Sequence, residues 1–130
     1  MNIDWEKIDN NIKQLSLENE DKIGKVVSVY DGDTIKIVFP LNNKLYKWNC
    51  RLGRVDTPEL RTKNLIEKKY GYVVRDKLRE KILNKVIKIK CGDFDKYGRL
   101  LGELFIKNDN EEEESINQWL IDNNYAFEYD

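Results

Sequence analysis

Apolar and polar residues alternate through residues 24–52, the period of two expected of half-buried strands. Gly24-Lys25-Val26-Val27-Ser28-Val29-Tyr30 reads as a first strand, and the Asp31-Gly32 pair after it is a strong hairpin signal. Thr34 to Phe39 forms the return strand, Pro40 to Asn43 the next turn, and Lys44 to Leu52 a third strand. A loop is expected from Asp56 to about Tyr70. Val74, Leu78 and Ile82 then recur at four-residue steps, which predicts a helix with one buried face. Val86 to Cys91 and Arg99 to Ile106 read as the fourth and fifth strands. Ser115-x-x-Gln118 is a capping-box start for a last helix, with Ile116, Trp119 and Leu120 on one face and Asn123-Asn124 as its stop.

Five short strands with two interposed helices predict an α+β fold, a five-stranded OB-type Greek-key β-barrel with two or three helices. The barrel is expected to occupy residues 22–130. Residues 1–21 form an acidic N-terminal extension in which Trp5, Ile8, Ile12 and Leu15 stand at helical spacing, so an amphipathic appendage packed on the domain is expected. The run Glu111 to Glu114 is expected in a solvated loop leading into the last helix, where acidic residues favour the helix N-terminus. Trp119 reads as a core residue, and Trp48, alternating with Tyr46 and Cys50, stays ambiguous.

Charge changes the picture more than composition does. Residues 1–21 hold 2 basic and 6 acidic residues, residues 22–107 hold 21 and 10, and residues 108–130 hold 0 and 8. The net charge of −1 therefore hides a basic body of +11 between acidic ends of −4 and −8. A basic body is the electrostatic footprint of a phosphate-backbone binder. The chain has no histidine, which excludes histidine triads, two-histidine ribonuclease chemistry and His-rich zinc sites. Cys50 and Cys91 match no metal-ligand spacing and are expected to be free, mostly buried thiols. With no signal-peptide pattern and no apolar run long enough to span a bilayer, an intracellular protein without a membrane partner is expected; the sequence does not assign the oligomeric state, and a monomer is favoured.

Three short clusters carry the chemistry. They are Asp31-Gly32-Asp33-Thr34, then Arg51 to Glu59 with Asp56-Thr57-Pro58-Glu59 at its end, then Asp95-Lys96-Tyr97-Gly98-Arg99. Phosphodiester hydrolysis develops negative charge on the phosphoryl oxygens. Arginine forks and a carboxylate-held cation stabilise that charge, while a carboxylate positions the attacking water. Each cluster alone is a common turn or helix start.

Together and in this order they resemble the staphylococcal (micrococcal) nuclease family over roughly Gly24 to Asn124. The resemblance implies that Asp33 and Asp56 ligate a metal through their carboxylates and Thr57 through its carbonyl. It implies that Glu59 holds the attacking water, that Arg51 and Arg99 bind the scissile phosphate, and that Tyr97 lies near a substrate phosphate. Lys96 and Tyr129 complete the expected substrate contacts. The implied cofactor is Ca2+, and an all-oxygen ligand set also suits Mg2+ or Mn2+. Asn117 matches a structural asparagine that satisfies loop backbone groups. Gly53 and Arg54 replace the family's leucines, and the family's nucleotide-contacting tyrosines are not in register with Tyr125 and Tyr129.

The expected function is a metal-dependent nuclease, a calcium-dependent endonuclease that hydrolyses DNA or RNA with low sequence specificity. The alternative is a non-catalytic OB-fold module that binds nucleic acid or protein.

Overall fold

The computed structural model describes residues 1–129. Three antiparallel strands open the fold: β1 (Asp21–Val29), β2 (Thr34–Leu41) and β3 (Lys44–Leu52). A short β4 (Val55–Asp56) leads to helix α1 (Leu65–Ile82). Then come β5 (Val86–Phe94), β6 (Leu100–Lys107), the edge strand β7 (Glu113–Ser115), helix α2 (Ile116–Asp122) and β8 (Phe127–Glu128).

The sheet runs β3-β2-β1-β5-β6-β7, and a parallel pairing of β3 with β6 closes it. Cys50, Arg51 and Leu52 stand opposite Leu100, Leu101 and Gly102 in that pairing. The result is the expected five-stranded barrel with two helices. Its interior is the apolar half of each alternation: Val26, Ile35, Ile37, Ile89, Leu100 and Leu104 are all buried. Val74, Leu78 and Ile82 of α1 and Ile116 and Leu120 of α2 join the same core. Trp48 is partly buried, stacked on Phe39 at 4.7 Å, and its indole N–H donates to the Phe39 carbonyl at 3.1 Å. Trp119 packs against the core with Tyr125 edge-on at 5.4 Å.

Several boundaries differ from expectation, each for a local reason. β2 continues through Pro40 to Leu41, because the tight turn is made by Asn42 and Asn43, both with positive φ (52° and 67°). That two-residue left-handed turn matches the strand twist. Helix α1 starts at Leu65, inside the stretch read as loop, because the Asn64 side chain caps the N–H groups of Ile66 and Glu67. Leu65, Ile66 and Tyr70 give that first stretch no buried face, so its helical period was masked. In the acidic run, Glu113 and Glu114 lie in β7 and pair with Lys88 and Lys81, so only Glu111 and Glu112 remain in the turn.

The N-terminal segment departs furthest. It holds one 3₁₀ turn, Trp5–Lys7, and leaves Trp5, Ile8, Ile12 and Leu15 between 45 and 72 % exposed. The anchor is instead Leu17, 2 % exposed. Beside it the Asn19 N–H donates to the Cys91 carbonyl and the Cys91 N–H to the Glu20 carbonyl, each at 2.8 Å. Cys50 and Cys91 are free and buried, and burial pushes their thiols up to about 12 and about 11.

Candidate active site

The loop between β1 and β2 carries Asp31, Gly32 and Asp33, all buried. Asp31 accepts the Asp33 N–H at 3.1 Å, which folds the loop back on itself. Gly32 is required here by close approach and not by a left-handed φ. A Cβ at this position would lie 2.7 Å from Val74 of α1 and 2.9 Å from the Thr57 side chain. That contact seats the loop against both the helix and the segment after β4.

Asp33 is the hub of the site. Its Oδ2 accepts the Thr57 hydroxyl at 3.1 Å and lies 3.4 Å from Arg51 Nη2, while its Oδ1 accepts the Thr34 hydroxyl at 3.0 Å. Arg51 also donates to the Leu52 carbonyl. Three chain segments separated in sequence thus meet on one carboxylate. Asp56, one residue before Thr57, is exposed and pairs in β4 with Phe127 of β8.

Glu59 is exposed, and among the described residues its side chain makes no hydrogen bond or ion pair. Its backbone is positioned by Gly71 of α1, where a Cβ would meet the Pro58 and Glu59 carbonyls at 3.0 and 3.1 Å. An open groove of about 780 Å³ adjoins Asp56 and Pro58, walled by Ile66, Tyr70, Val73 and Phe127.

Arg99 lies just before the start of the strand that pairs with β3. It precedes β6, whose Leu100 and Leu101 stand opposite Cys50 and Arg51 of β3. Leu100 and Cys50 point inward, so Arg51 points outward by strand alternation, while Arg99 stands just before β6 with its side chain 32% exposed. Asp95 fixes the Arg99 fork: its Oδ2 accepts Nε at 2.8 Å, and its Oδ1 accepts the backbone N–H groups of Arg99 and Tyr97, each at 2.9 Å. Burial alone would raise the Asp95 carboxyl. The hydrogen bonds from the Arg99 backbone and guanidinium and from Tyr97 outweigh it and hold the carboxyl below its usual range. Tyr97 is exposed, with Lys96 Nζ 5.2 Å and Arg99 Cζ 5.5 Å from its ring.

The remaining residues lie apart from this cluster. Arg54 is taken up by Glu103 and Glu128 at 2.8 and 3.2 Å. Tyr129 donates its N–H to the Arg54 carbonyl at 2.7 Å and is exposed at that end of the β4–β8 ribbon. Tyr125 is half-buried against Trp119. Asn117 is fully buried, accepting the Leu104 N–H at 3.0 Å and donating to the Gly53 and Gly102 carbonyls at 2.8 and 3.1 Å.

Asp31 was read from the sequence only as a turn residue. The structure makes it a buried acid whose carboxyl rises to about 6, first through burial and then through the charge of Asp33. The Asp-x-Asp spacing is the signal that could have found it. Two adjacent buried carboxylates favour a nearby cation, and Asp33, Asp56 and the Thr57 carbonyl offer the hard oxygen donors that Ca2+ or Mg2+ prefers. Among the described residues no group of three or more aspartate, glutamate or cysteine side chains is placed to hold a metal ion.

The staphylococcal nuclease homologue family matches the chain over residues 49–130, from within β3 onward. A protein of Methanocaldococcus jannaschii named only as uncharacterized is 33% identical over 121 residues, covering 78% of this chain and 56% of its own length. A protein of Escherichia coli O157:H7 named an uncharacterized endonuclease is 26% identical over 107 residues, covering 82% of this chain and 61% of its own length. A protein of the same name from Escherichia coli matches equally. The chain thus spans a little over half the length of these curated relatives. With a family match over more than half its residues, on a closed five-stranded barrel, this chain belongs to the staphylococcal nuclease homologue family.

Proposed function

We propose that this chain is a metal-dependent nuclease, an endonuclease that hydrolyses phosphodiester bonds of DNA or RNA with low sequence specificity. One observation carries the reading: Thr57 and Arg51 meet on the Asp33 carboxylate, at 3.1 and 3.4 Å, with Arg99 just before β6, the strand that pairs with the Arg51 strand. Membership of the nuclease family and the endonuclease names of two relatives agree with it.

Asp33, Asp56 and the Thr57 carbonyl would hold the cation, with Ca2+ the first choice and Mg2+ or Mn2+ the alternatives. When bound, the cation withdraws charge from a phosphoryl oxygen. Arg51 and Arg99 point their forks at the other phosphoryl oxygens, where negative charge grows as water attacks. Glu59 has a free carboxylate and orients the attacking water or takes its proton. Tyr97 and Lys96, at the tip of the β5–β6 hairpin, touch the flanking phosphate, and Tyr129 extends the contact surface. No described helix is long and apolar enough to cross a membrane.

The test is cleavage of single- and double-stranded DNA and RNA in Ca2+, Mg2+, Mn2+ and a chelator, with Asp33→Ala alongside. Metal-dependent cleavage lost in Asp33→Ala is expected. Oligonucleotide binding without cleavage under any divalent cation would instead establish the non-catalytic binding module.

A further inference from the structure

The outer face of β1, β2 and β3 starts at Arg51 and is a run of aligned polar and basic residues. Residues directly opposite on antiparallel strands point to the same side. Thr34 stands opposite Arg51, Lys36 stands between Ser28 and Asn49, and Val38 stands between Lys25 and Lys47. The alternating positions Val26, Ile35, Ile37, Phe39 and Cys50 are 0 to 1 % exposed, so the rows face solvent. Successive rows are about 7 Å apart along the strands.

Two features mark this face. Lys25, Lys36 and Lys47 are exposed, and among the described residues none of them is in an ion pair. Among the described residues only Lys7, Lys22, Lys77, Lys81 and Lys88 meet carboxylates, so what marks this face is the alignment of its free lysines in consecutive rows. Strands β2 and β3 contain no aspartate or glutamate at all, so this part of the face carries one sign of charge.

We propose that Lys25, Lys36 and Lys47, with Ser28 and Asn49 between them, form a track that carries the backbone of a single nucleic-acid strand away from Arg51. The inference rests on the nuclease reading for its starting point at Arg51. The face is three strands wide, about 10 Å, which fits one backbone and not the width of a duplex. Lysine meets phosphate as a point charge and asks for no fixed geometry. The rows contain no aromatic residue, so the track supplies no stacking platform and reads phosphates without reading bases.

Counterion release tests this directly. Binding of fluorescein-labelled oligothymidylate, as a tetranucleotide and as an oligomer of about 16 nucleotides, is measured against salt with a chelator present. Wild type is compared with the triple variant Lys25→Gln, Lys36→Gln, Lys47→Gln and with the charge-matched control Lys7→Gln, Lys77→Gln, Lys107→Gln. Thermal melts verify that both variants fold. Three lost phosphate contacts at about 0.7 each should reduce the slope of log K against log salt by about 2 for the long oligomer. The advantage of the long over the short oligomer should shrink with it, and the control should match wild type. An unchanged slope in the track variant, an equal loss in the control, or no binding by wild type overturns the proposal. Binding by wild type without cleavage in any divalent cation overturns the nuclease reading alone, because the slope comparison still decides the track.

Discussion

At the scale of single residues, the site depends on how each charge is held. Arg51 shares Asp33 with Thr57, and Arg99 is aimed by Asp95, so both guanidiniums are oriented before any substrate arrives. Lysine keeps the charge but loses the planar fork. Arg51→Lys should therefore lower turnover by about 10²-fold, the scale of losing one transition-state donor. Oligonucleotide affinity should change far less, because other cations share the ground-state contacts. Single-turnover cleavage beside a binding isotherm separates the two, and equal losses in both would remove Arg51 from the transition state.

Asp95 carries a pH dependence whose sign follows from its lowered carboxyl. A carboxyl held below its unfolded value of about 4 stabilises the fold at higher pH, and the contribution fades as pH falls through the folded value. The stability gap between wild type and Asp95→Asn should be constant above about pH 5 and close below about pH 4. Urea unfolding at a series of pH values measures it, and a gap that widens on acidification would refute the assignment.

At the scale of elements, close packing sets the geometry of the site. Gly32→Ala drives a methyl into Val74 and Thr57, at 2.7 and 2.9 Å, and should cost about 1–3 kcal/mol as overpacking. Gly53→Ala meets nothing nearer than the Gly102 carbonyl at 3.8 Å and should be tolerated. Urea denaturation of the pair checks both, and equal stability of the two variants would remove the close-approach argument. Asn117 joins β3, β6 and α2 through three bonds. Asn117→Ala takes the side-chain partner from the Leu104 N–H and the Gly53 carbonyl, at about 1–3 kcal/mol for each buried group left unpaired, while the Gly102 carbonyl keeps the Gly53 N–H at 2.9 Å. Its melting temperature should fall steeply, and a fall no larger than that of an exposed substitution would contradict the network.

Much of this level was legible in the sequence. The strand alternations, the Val74-Leu78-Ile82 stripe and the Ser115 cap each follow from a local rule, and Ser115 does accept the Gln118 N–H at 3.1 Å. The start of α1 was not legible, because Leu65 and Ile66 lie 78 and 84 % exposed and break the expected pattern. The N-terminal segment misled for the opposite reason. Its spacing is helical, but the described residues leave Trp5, Ile8, Ile12 and Leu15 exposed. Among site residues, the three clusters were visible as motifs. The burial of Asp31, the partner of Arg99 and the neutralisation of Arg54 were not, since each depends on which strands lie side by side.

At the scale of the whole molecule, the barrel is a shield as well as a scaffold. Cys50 and Cys91 lie 0 and 2 % exposed on opposite sides of the barrel seam, with thiols raised by burial. Thiolate is the reactive form, so both should resist alkylation in the native state and react only through unfolding. Labelling with iodoacetamide across a urea series should track the loss of circular dichroism. Fast labelling without denaturant would show a barrel that opens locally.

The parallel pairing of β3 with β6 has a further consequence, in the order of events during folding. It joins residues about 50 positions apart, Cys50 to Leu100, whereas the β1–β2–β3 meander needs only neighbouring strands. Contacts so distant in sequence form late, after local hairpins have reduced the closure cost. Asp33 and Arg51 stand on the early meander, while Arg99 arrives only with β6. The segments that carry the two guanidiniums therefore meet in the step that seals the barrel. A nascent or partly unfolded chain carries the carboxylates and one arginine but not the pair, so the assembled site is itself a report that folding is complete.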